Sequence, residues 1–421
     1  MRFGPLVPLV LAAFVLGGCG ERAREGATAI RAARLYTAPG EPPIDDAAVL
    51  FAEGRILAAG PSGEVATRGA ARLKQCDEGT LVAGFQNSHV HFTEPKWENA
   101  AKRQASELAS QFVDMLTRFG FTTVVDTGSL IDNTAALRAR VDSGEVAGPR
   151  IMTAGLPLYP KDGIPFYLKD LPADFLAQLP EPATIEEALA FVQSNLDRGA
   201  DATKLFVMTP LEGGRVAFME PDIAMAAADE THRAGLPVLA HPTDIKGINI
   251  AIEAGVDVLV HTTIGRDRTS WEPALVSQLV SKNMALVPTL SLWSYELKRA
   301  GLEERVAELA TGDAVEELRA FAAAGGQALF GTDVGYVSEY DPTEEYRLMS
   351  RALSSMRILE SLTTAPAARW KEEKSRGRVE KDMEADLVVL EGDPAADAAN
   401  FAKVRCTIRA GKLIYEAPAK D

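Results

Sequence analysis

His89-Val90-His91 places two imidazoles one residue apart, just after the apolar run Leu81-Val82-Ala83-Gly84-Phe85. On an extended chain, residues i and i+2 project from one face, so this pair could hold a single metal ion. Alone, the pair could equally be two unrelated histidines, one facing in and one out. Other positions repeat the theme. Pro237-Val-Leu-Ala ends in His241, Val256-Asp-Val-Leu-Val ends in His261, and Ala328-Leu-Phe-Gly-Thr ends in Asp333. The chain has only five histidines, and four of them close runs of strand type. A core histidine usually sits in mid-element beside a local partner, so four at strand ends point to a metal centre. The fifth, His232, falls in the helical stretch Asp222 to Ala234 and reads as a surface or packing residue.

Lys204 lies inside a further apolar run, Gly199-Ala-Asp-Ala-Thr-Lys-Leu-Phe-Val. Burying an unpaired lysine is costly. One reading points it outward, with its amine reaching along an apolar surface to water. The other points it inward at the metals. A desolvated amine beside cations has a lowered pKa and can react with CO₂. The resulting carbamate is a bidentate anion able to bridge two divalent ions.

These side chains need elements that converge. Strand candidates are 84–91, 122–125, 150–153, 202–207, 237–240, 256–260, 285–288 and 328–330, eight in all, with helical segments between them. Thr184-Ile-Glu-Glu187 has capping-box spacing before an amphipathic stretch. The stretch from Glu98 to Phe119 carries an apolar stripe and stops at Gly120. Eight alternating strands and helices predict an α/β fold, a closed (β/α)₈ TIM-like barrel over residues 83–370, with active-site residues at the strand C-termini. The alternative is an open doubly wound sheet, but no Gly-rich dinucleotide or P-loop signature follows the first strand. Residues 28–82 and 371–421 hold short β-type runs separated by Gly, Pro and Asp, and predict a small composite β-sandwich built from both termini.

The first residues read as a targeting segment. Arg2 precedes the apolar run Phe3 to Val15, and Leu16-Gly17-Gly18-Cys19 follows. The run is shorter than the roughly 20 apolar residues a membrane span needs. Residues 1–19 therefore predict an export signal, and residues 20–27 a polar tether. The Leu-Gly-Gly-Cys end resembles the lipobox of bacterial lipoproteins. That resemblance implies lipidation of Cys19 and a membrane anchor facing the periplasm. Residue 20 is Gly rather than Asp, which favours the outer membrane. Such a compartment would permit a disulfide between Cys76 and Cys406, though sequence cannot place their Cα atoms. The net charge of −15 over 421 residues argues against nucleic-acid binding.

Taken together, these residues resemble the amidohydrolase superfamily. The resemblance spans nearly the whole exported chain. It includes Gly120-Phe-Thr-Thr-Val-Val-Asp-Thr-Gly128, Gly148-Pro-Arg-Ile151 and the segment Gly377 to Pro394. It implies that His89, His91 and Asp333 hold the more buried of two divalent ions, with zinc expected. His241 and His261 would hold the other, and carboxylated Lys204 would bridge them. A metal-bridging hydroxide would attack the substrate, with Asp333 as proton shuttle. The lysine resembles that of prolidase-like dipeptidases. A tyrosine two residues past the strand-five histidine is usual among those peptidases, and here that position is Thr243. The implied activity is hydrolysis of a C–N bond other than an ordinary peptide bond, in a dipeptide, N-acyl amino acid or cyclic amide. A lactone or ester hydrolase would use the same site. A mononuclear deaminase usually has an acid just past the strand-five histidine and no such lysine. His241-Pro-Thr-Asp244 offers no Glu, and Lys204 is present. A non-enzymatic binding lipoprotein would be expected to lose ligands that this chain keeps. Loop candidates for contacts to a small-molecule substrate are Tyr159, Arg266, Arg268, Trp293 and Tyr295; an oligomer is compatible with all of this.

Overall fold

A computed structural model of the protein describes residues 22–169, 173–263 and 271–418. Cys19, with the export segment, and Arg266 and Arg268 lie outside the described residues. The fold is α/β. Eight parallel strands form two sheets. The first holds Phe85–Val90, Phe121–Asp126 and Arg150–Thr153. The second holds Thr203–Phe206, Val238–His241, Val258–Val260, Ala285–Val287 and Gln327–Ala328. These strands are covered on both faces, and Val258–Val260 and Ala285–Val287 are buried at every residue. That is why the sequence shows continuous apolar runs here rather than alternation.

Backbone hydrogen bonds join the outer strands of the two sheets on both sides. Ser88 N donates to Phe330 O at 2.7 Å, Asp333 N to His89 O at 2.9 Å and His91 N to Val334 O at 2.8 Å. On the other side Leu158 N donates to Lys204 O at 2.9 Å and Phe206 N to Leu158 O at 2.8 Å. The chain beyond the strands therefore keeps strand-like pairing where the functional side chains emerge.

The expected capping box is present. Thr184 accepts from Glu187 N at 3.2 Å, and the Glu187 carboxylate accepts from Thr184 N at 3.3 Å, opening the helix Ile185–Asp197. The helix expected over Glu98 to Phe119 is shorter, spanning Ala105–Met115. Pro95–Trp97 forms a separate single turn, and Asn99 adopts φ 57°, which no α-helix accommodates. Leu108, Phe112 and Met115 line its buried face, and Phe112 packs on Trp97 with ring centres 4.9 Å apart.

Strands from both chain ends share one eight-stranded sheet. Leu387–Leu390 runs antiparallel to Thr80–Ala83, with Leu387 opposite Ala83. Cys76 and Cys406 are disulfide-bonded across 330 residues, with Cα atoms 5.7 Å apart. Arg376, 6% exposed, joins this sheet to the parallel strands. Its guanidinium meets Glu372, Glu384 and Asp386 at 3.1, 2.9 and 3.1 Å and reaches Thr123 Oγ1 at 3.4 Å. Among the described residues no helix is long and apolar enough to cross a membrane.

Candidate metal centre and active site

His89 is the fifth residue of its strand, and His91 follows Val90 at the strand end. Alternation along the strand puts both imidazoles on one side, with their Nε2 atoms 3.0 Å apart. Asp333 Oδ1 completes the group, 3.2 Å from His89 Nε2 and 3.0 Å from His91 Nε2. Asp333 Oδ2 is 4.0 Å from His261 Nε2. Donor atoms of His89, His261 and Asp333 all lie within 4.8 Å of one another. His241 packs beside them, its ring 4.7 Å from His261 and stacked at 4.4 Å on Phe206.

Two hydrogen bonds settle which ring nitrogens face the centre. His91 Nδ1 donates to Gly128 O at 3.0 Å, so in the neutral ring Nε2 carries the lone pair. His261 Nδ1 is 2.6 Å from Thr289 Oγ1, and that hydroxyl donates to Pro288 O at 2.9 Å. The hydroxyl can then only accept from His261, leaving Nε2 of His261 as a lone pair as well. Lone pairs and a carboxylate converge, and Asp333 Oδ1 is buried without a hydrogen-bond partner. A cation would satisfy the converging lone pairs, and imidazole plus carboxylate is a donor set that suits zinc and similar ions.

Electrostatics agree for three of the four imidazoles; at His91 burial is outweighed by Asp333 and Asp126, which raise its pKa above the usual histidine value. Burial pushes the His89 pKa down to about 4 and holds His241 and His261 well below the usual histidine value. Burial alone would raise Asp333, but His89 and His91 outweigh it and hold the carboxyl well below its ordinary range. Lys204 is 1% exposed. Burial pushes its amine down to about 7, opposed by Asp333, and Nζ lies 5.6 Å from the Phe206 ring centre. The inward reading of Lys204 is the one the geometry adopts: it lines the same cavity as the histidines.

The backbone at these strand ends is strained. His261, Asp333, Thr289 and Thr243 have φ of 79°, 61°, 43° and 40°, a region that side-chain-bearing residues seldom occupy. Asp126 steadies the neighbouring turn. It accepts from Ser129 Oγ at 2.6 Å, Thr153 Oγ1 at 2.9 Å and Thr134 Oγ1 at 3.1 Å, and so holds the loop whose Gly128 carbonyl orients His91.

The centre closes one end of a cavity of about 850 Å³. Its walls combine aromatic and aliphatic side chains. Tyr159 packs on Phe206 at 4.7 Å, and Tyr167 on Tyr336 at 5.1 Å. Trp293 lies in the helix Leu290–Arg299 and donates Nε1 to Thr262 Oγ1 at 2.9 Å. Tyr159 and Trp293, the expected contacts, both line the cavity; Tyr295 does not, and its hydroxyl instead meets Ser338 Oγ at 3.4 Å. Sequence reasoning passed over Tyr167 and Tyr336, because a tyrosine in a loop carries no spacing signal. It also passed over the role of Asp126, although that residue ends the second apolar run just as the histidines end theirs. His232 lies away from the centre, on the surface, with Nε2 2.8 Å from Asp257.

The arrangement has relatives among solved structures. An Xaa-Pro dipeptidase with methionine bound in its active site aligns with a TM-score of 0.77 at 22% identity, covering 93% of this chain and 100% of that one. A prolidase in complex with N-methylphosphonate-L-proline aligns at 0.74 and 21%, with coverage of 93% and 100%. The A. niger ochratoxinase aligns at 0.75 and 19%, with coverage of 93% and 96%. At these identities the likeness establishes the fold alone. No curated protein matches the sequence. Residues 80–414 match the amidohydrolase family, and because that match spans the strands, the converging ligands and the return to the terminal sheet, the chain belongs to the amidohydrolase family.

Proposed function

We propose that the chain is a binuclear, metal-dependent hydrolase that cleaves a C–N bond in a small substrate bearing a bulky apolar group. One observation carries this reading. Converging imidazoles, a buried carboxylate and the buried amine of Lys204 line a largely apolar cavity of about 850 Å³ whose walls include Tyr159, Phe206, Tyr167 and Tyr336. His89, His91 and Asp333 would hold one ion, His241 and His261 the other. Lys204, carboxylated by CO₂, would bridge them, and zinc is the expected metal. When bound, the ions polarise a carbonyl and lower the pKa of water toward neutrality. Asp333 takes a proton from the attacking water and delivers it to the leaving nitrogen. The Tyr159–Phe206 and Tyr167–Tyr336 walls exclude water and seat the apolar group.

The parallel strands are read as a closed (β/α)₈ barrel over 83–370, supported by the backbone bonds at both sheet edges. Residues 28–82 and 371–421 are read as its accessory β-sandwich. Residues 1–19 would be removed as a signal, lipidated Cys19 would anchor the protein to the outer membrane, facing the periplasm, and 20–27 would form the tether. The Cys76–Cys406 disulfide supports an oxidising compartment.

Elemental analysis of signal-free protein purified without chelators tests the centre. Close to two ions per chain is expected. None, even after metal and bicarbonate are added, would overturn the reading, and one would shift it toward mononuclear deaminase chemistry. A paired screen tests the substrate. N-benzoyl amino acids should exceed their N-acetyl counterparts by about tenfold or more in kcat/KM, from the extra apolar surface buried. Turnover of lactones and esters alone would move the assignment to ester hydrolysis on the same site.

A further inference from the structure

Two buried glutamates stand outside the ligand set; Glu317 ends on the backbone just past His261, and Glu345 on the turn whose Thr289 hydroxyl holds the His261 ring. Glu345, on the helix Thr343–Ser350, is fully buried. Its Oε1 accepts from Leu290 N at 2.9 Å and its Oε2 from Ser291 N at 2.7 Å. These are the first two amides of the helix Leu290–Arg299. The residue before them is Thr289, and a threonine at that position normally caps its own helix with its hydroxyl. Here the Thr289 hydroxyl makes no cap bond. It is committed instead to Pro288 O and to His261 Nδ1. Glu345 supplies the missing cap from another helix, its two carboxyl oxygens facing the first two helix amides.

Glu317 does the corresponding work on the other side. It is 1% exposed on the helix Glu304–Ala323. It accepts from Thr263 N at 2.7 Å and from Thr263 Oγ1 at 2.5 Å, two residues past His261. Trp271 Nε1 donates to the same hydroxyl at 3.1 Å. The two turns so gripped are the ones in which His261 and Thr289 take left-handed φ values of 79° and 43°. Unsupported, both turns would relax toward ordinary φ, and His261 Nε2 would swing from the centre.

We propose that Glu345 and Glu317 are positioning residues that clamp His261 in its ligating orientation, Glu345 by releasing the Thr289 hydroxyl from capping to hold the imidazole. The proposal rests on the metal-centre reading above. The Glu345 clamp needs both carboxylate oxygens as acceptors, so an amide of the same size breaks it, with its NH₂ facing a backbone N–H; at Glu317 an amide could still donate to the Thr263 hydroxyl, so an apolar side chain of similar size is needed to break that clamp.

The test uses the signal-free full chain and Co²⁺ as probe. Affinity and stoichiometry are measured by competition with a chromophoric chelator, and ligand geometry by the visible Co²⁺ spectrum, at a temperature where each variant is folded by circular dichroism. Glu345→Gln and Glu317→Met should each weaken the weaker-bound Co²⁺ by about 10- to 100-fold, the usual effect of losing a residue that orients a ligand, and should alter the spectrum. Thr289→Ala should do the same, and Thr289→Ser should restore wild-type binding. The Thr289→Ala/Glu345→Gln double variant should bind no worse than the poorer single, because both act on one path. Unchanged Co²⁺ affinity and spectrum in folded variants, with only a lower Tm, would reduce the glutamates to structural groups and overturn the proposal, as would strictly additive losses. Should Glu345→Gln fail to fold, Glu317→Met and the Thr289 pair separate the same two outcomes. A wild type that binds no Co²⁺ would count against the metal centre itself, which is a separate failure.

Discussion

His261 shows at the scale of one residue how a ligand is made. Its ring is fixed by the Thr289 hydroxyl, its backbone sits at φ 79°, and burial keeps the imidazole neutral. Lys204 is the other residue on which the proposed chemistry turns. With its pKa at about 7 when folded against an ordinary 10.5, it is neutral in the folded protein above pH 7 while the unfolded chain still binds its proton. Stability of the metal-free protein should therefore rise with pH from about 7 to about 10 through this group and carry its full penalty below 7. Lys204→Met should flatten that slope in urea unfolding measured across the range; an identical slope would place the amine in water. The neutral amine is also the form that reacts with CO₂, so Lys204→Ala should lose the second ion and at least about a hundredfold in kcat/KM. Asp333→Asn keeps the volume but removes the base, and should leave circular dichroism unchanged while costing several orders of magnitude in kcat.

At the scale of elements, a short apolar strand serves as a ruler that delivers its last side chain to a common end. Thr203–Phe206, Val238–His241 and Val258–Val260 lie in adjacent register, with Lys204 opposite Leu239 and Leu239 opposite Val258. The terminal sheet is held differently. Cys76 and Cys406 tie its two chain ends together across 330 residues, and closing so long a loop stabilises mainly by restricting the unfolded chain. The paired Cys76→Ser/Cys406→Ser variant should lose about 2–5 kcal/mol in denaturant unfolding yet bind metal with wild-type stoichiometry, since neither cysteine lines the cavity. Metal loss in that variant would mean that the terminal sheet and the site are coupled.

For the whole molecule, the terminal sheet and the parallel strands share a hydrophobic core that includes Val82, Val388, Leu390 and Phe401, and one guanidinium adds a buried charge cluster to that join. Arg376 meets three carboxylates, and Asp386 among them also accepts from Ala410 N at 2.7 Å. Arg376→Ala would strand buried charge and should cost about 3–5 kcal/mol, read as a lowered urea midpoint; a change below about 1 kcal/mol would show the carboxylates to be wet. In cells, the lipoprotein reading predicts that Cys19→Ser moves the protein from the membrane to the soluble fraction, and equal membrane association of the two would remove the anchor.

Much of the site was legible in the residues. His89, His91, His241, His261 and Asp333 close apolar runs, and period-two alternation with placement at strand ends is local information that a linear chain carries. Lys204 stood out because a charge inside an apolar run must find a reason. Glu317 and Glu345 did not stand out, because a glutamate in an amphipathic helix looks like any solvated face until packing buries it. The truncated start of the helix at Ala105, the use of the Thr289 hydroxyl by a histidine in place of its own helix, and the meeting of Cys76 with Cys406 likewise depend on neighbours far away in the chain. Sequence alone therefore determined which side chains could do the chemistry and the alternation of elements that carries them, since both follow from short-range spacing. Only the tertiary structure decided which nitrogen of His91 and of His261 faces the centre, which carboxylates bind the turns around His261 and what walls the cavity, because those depend on contacts between segments that are distant in sequence and brought together only by packing.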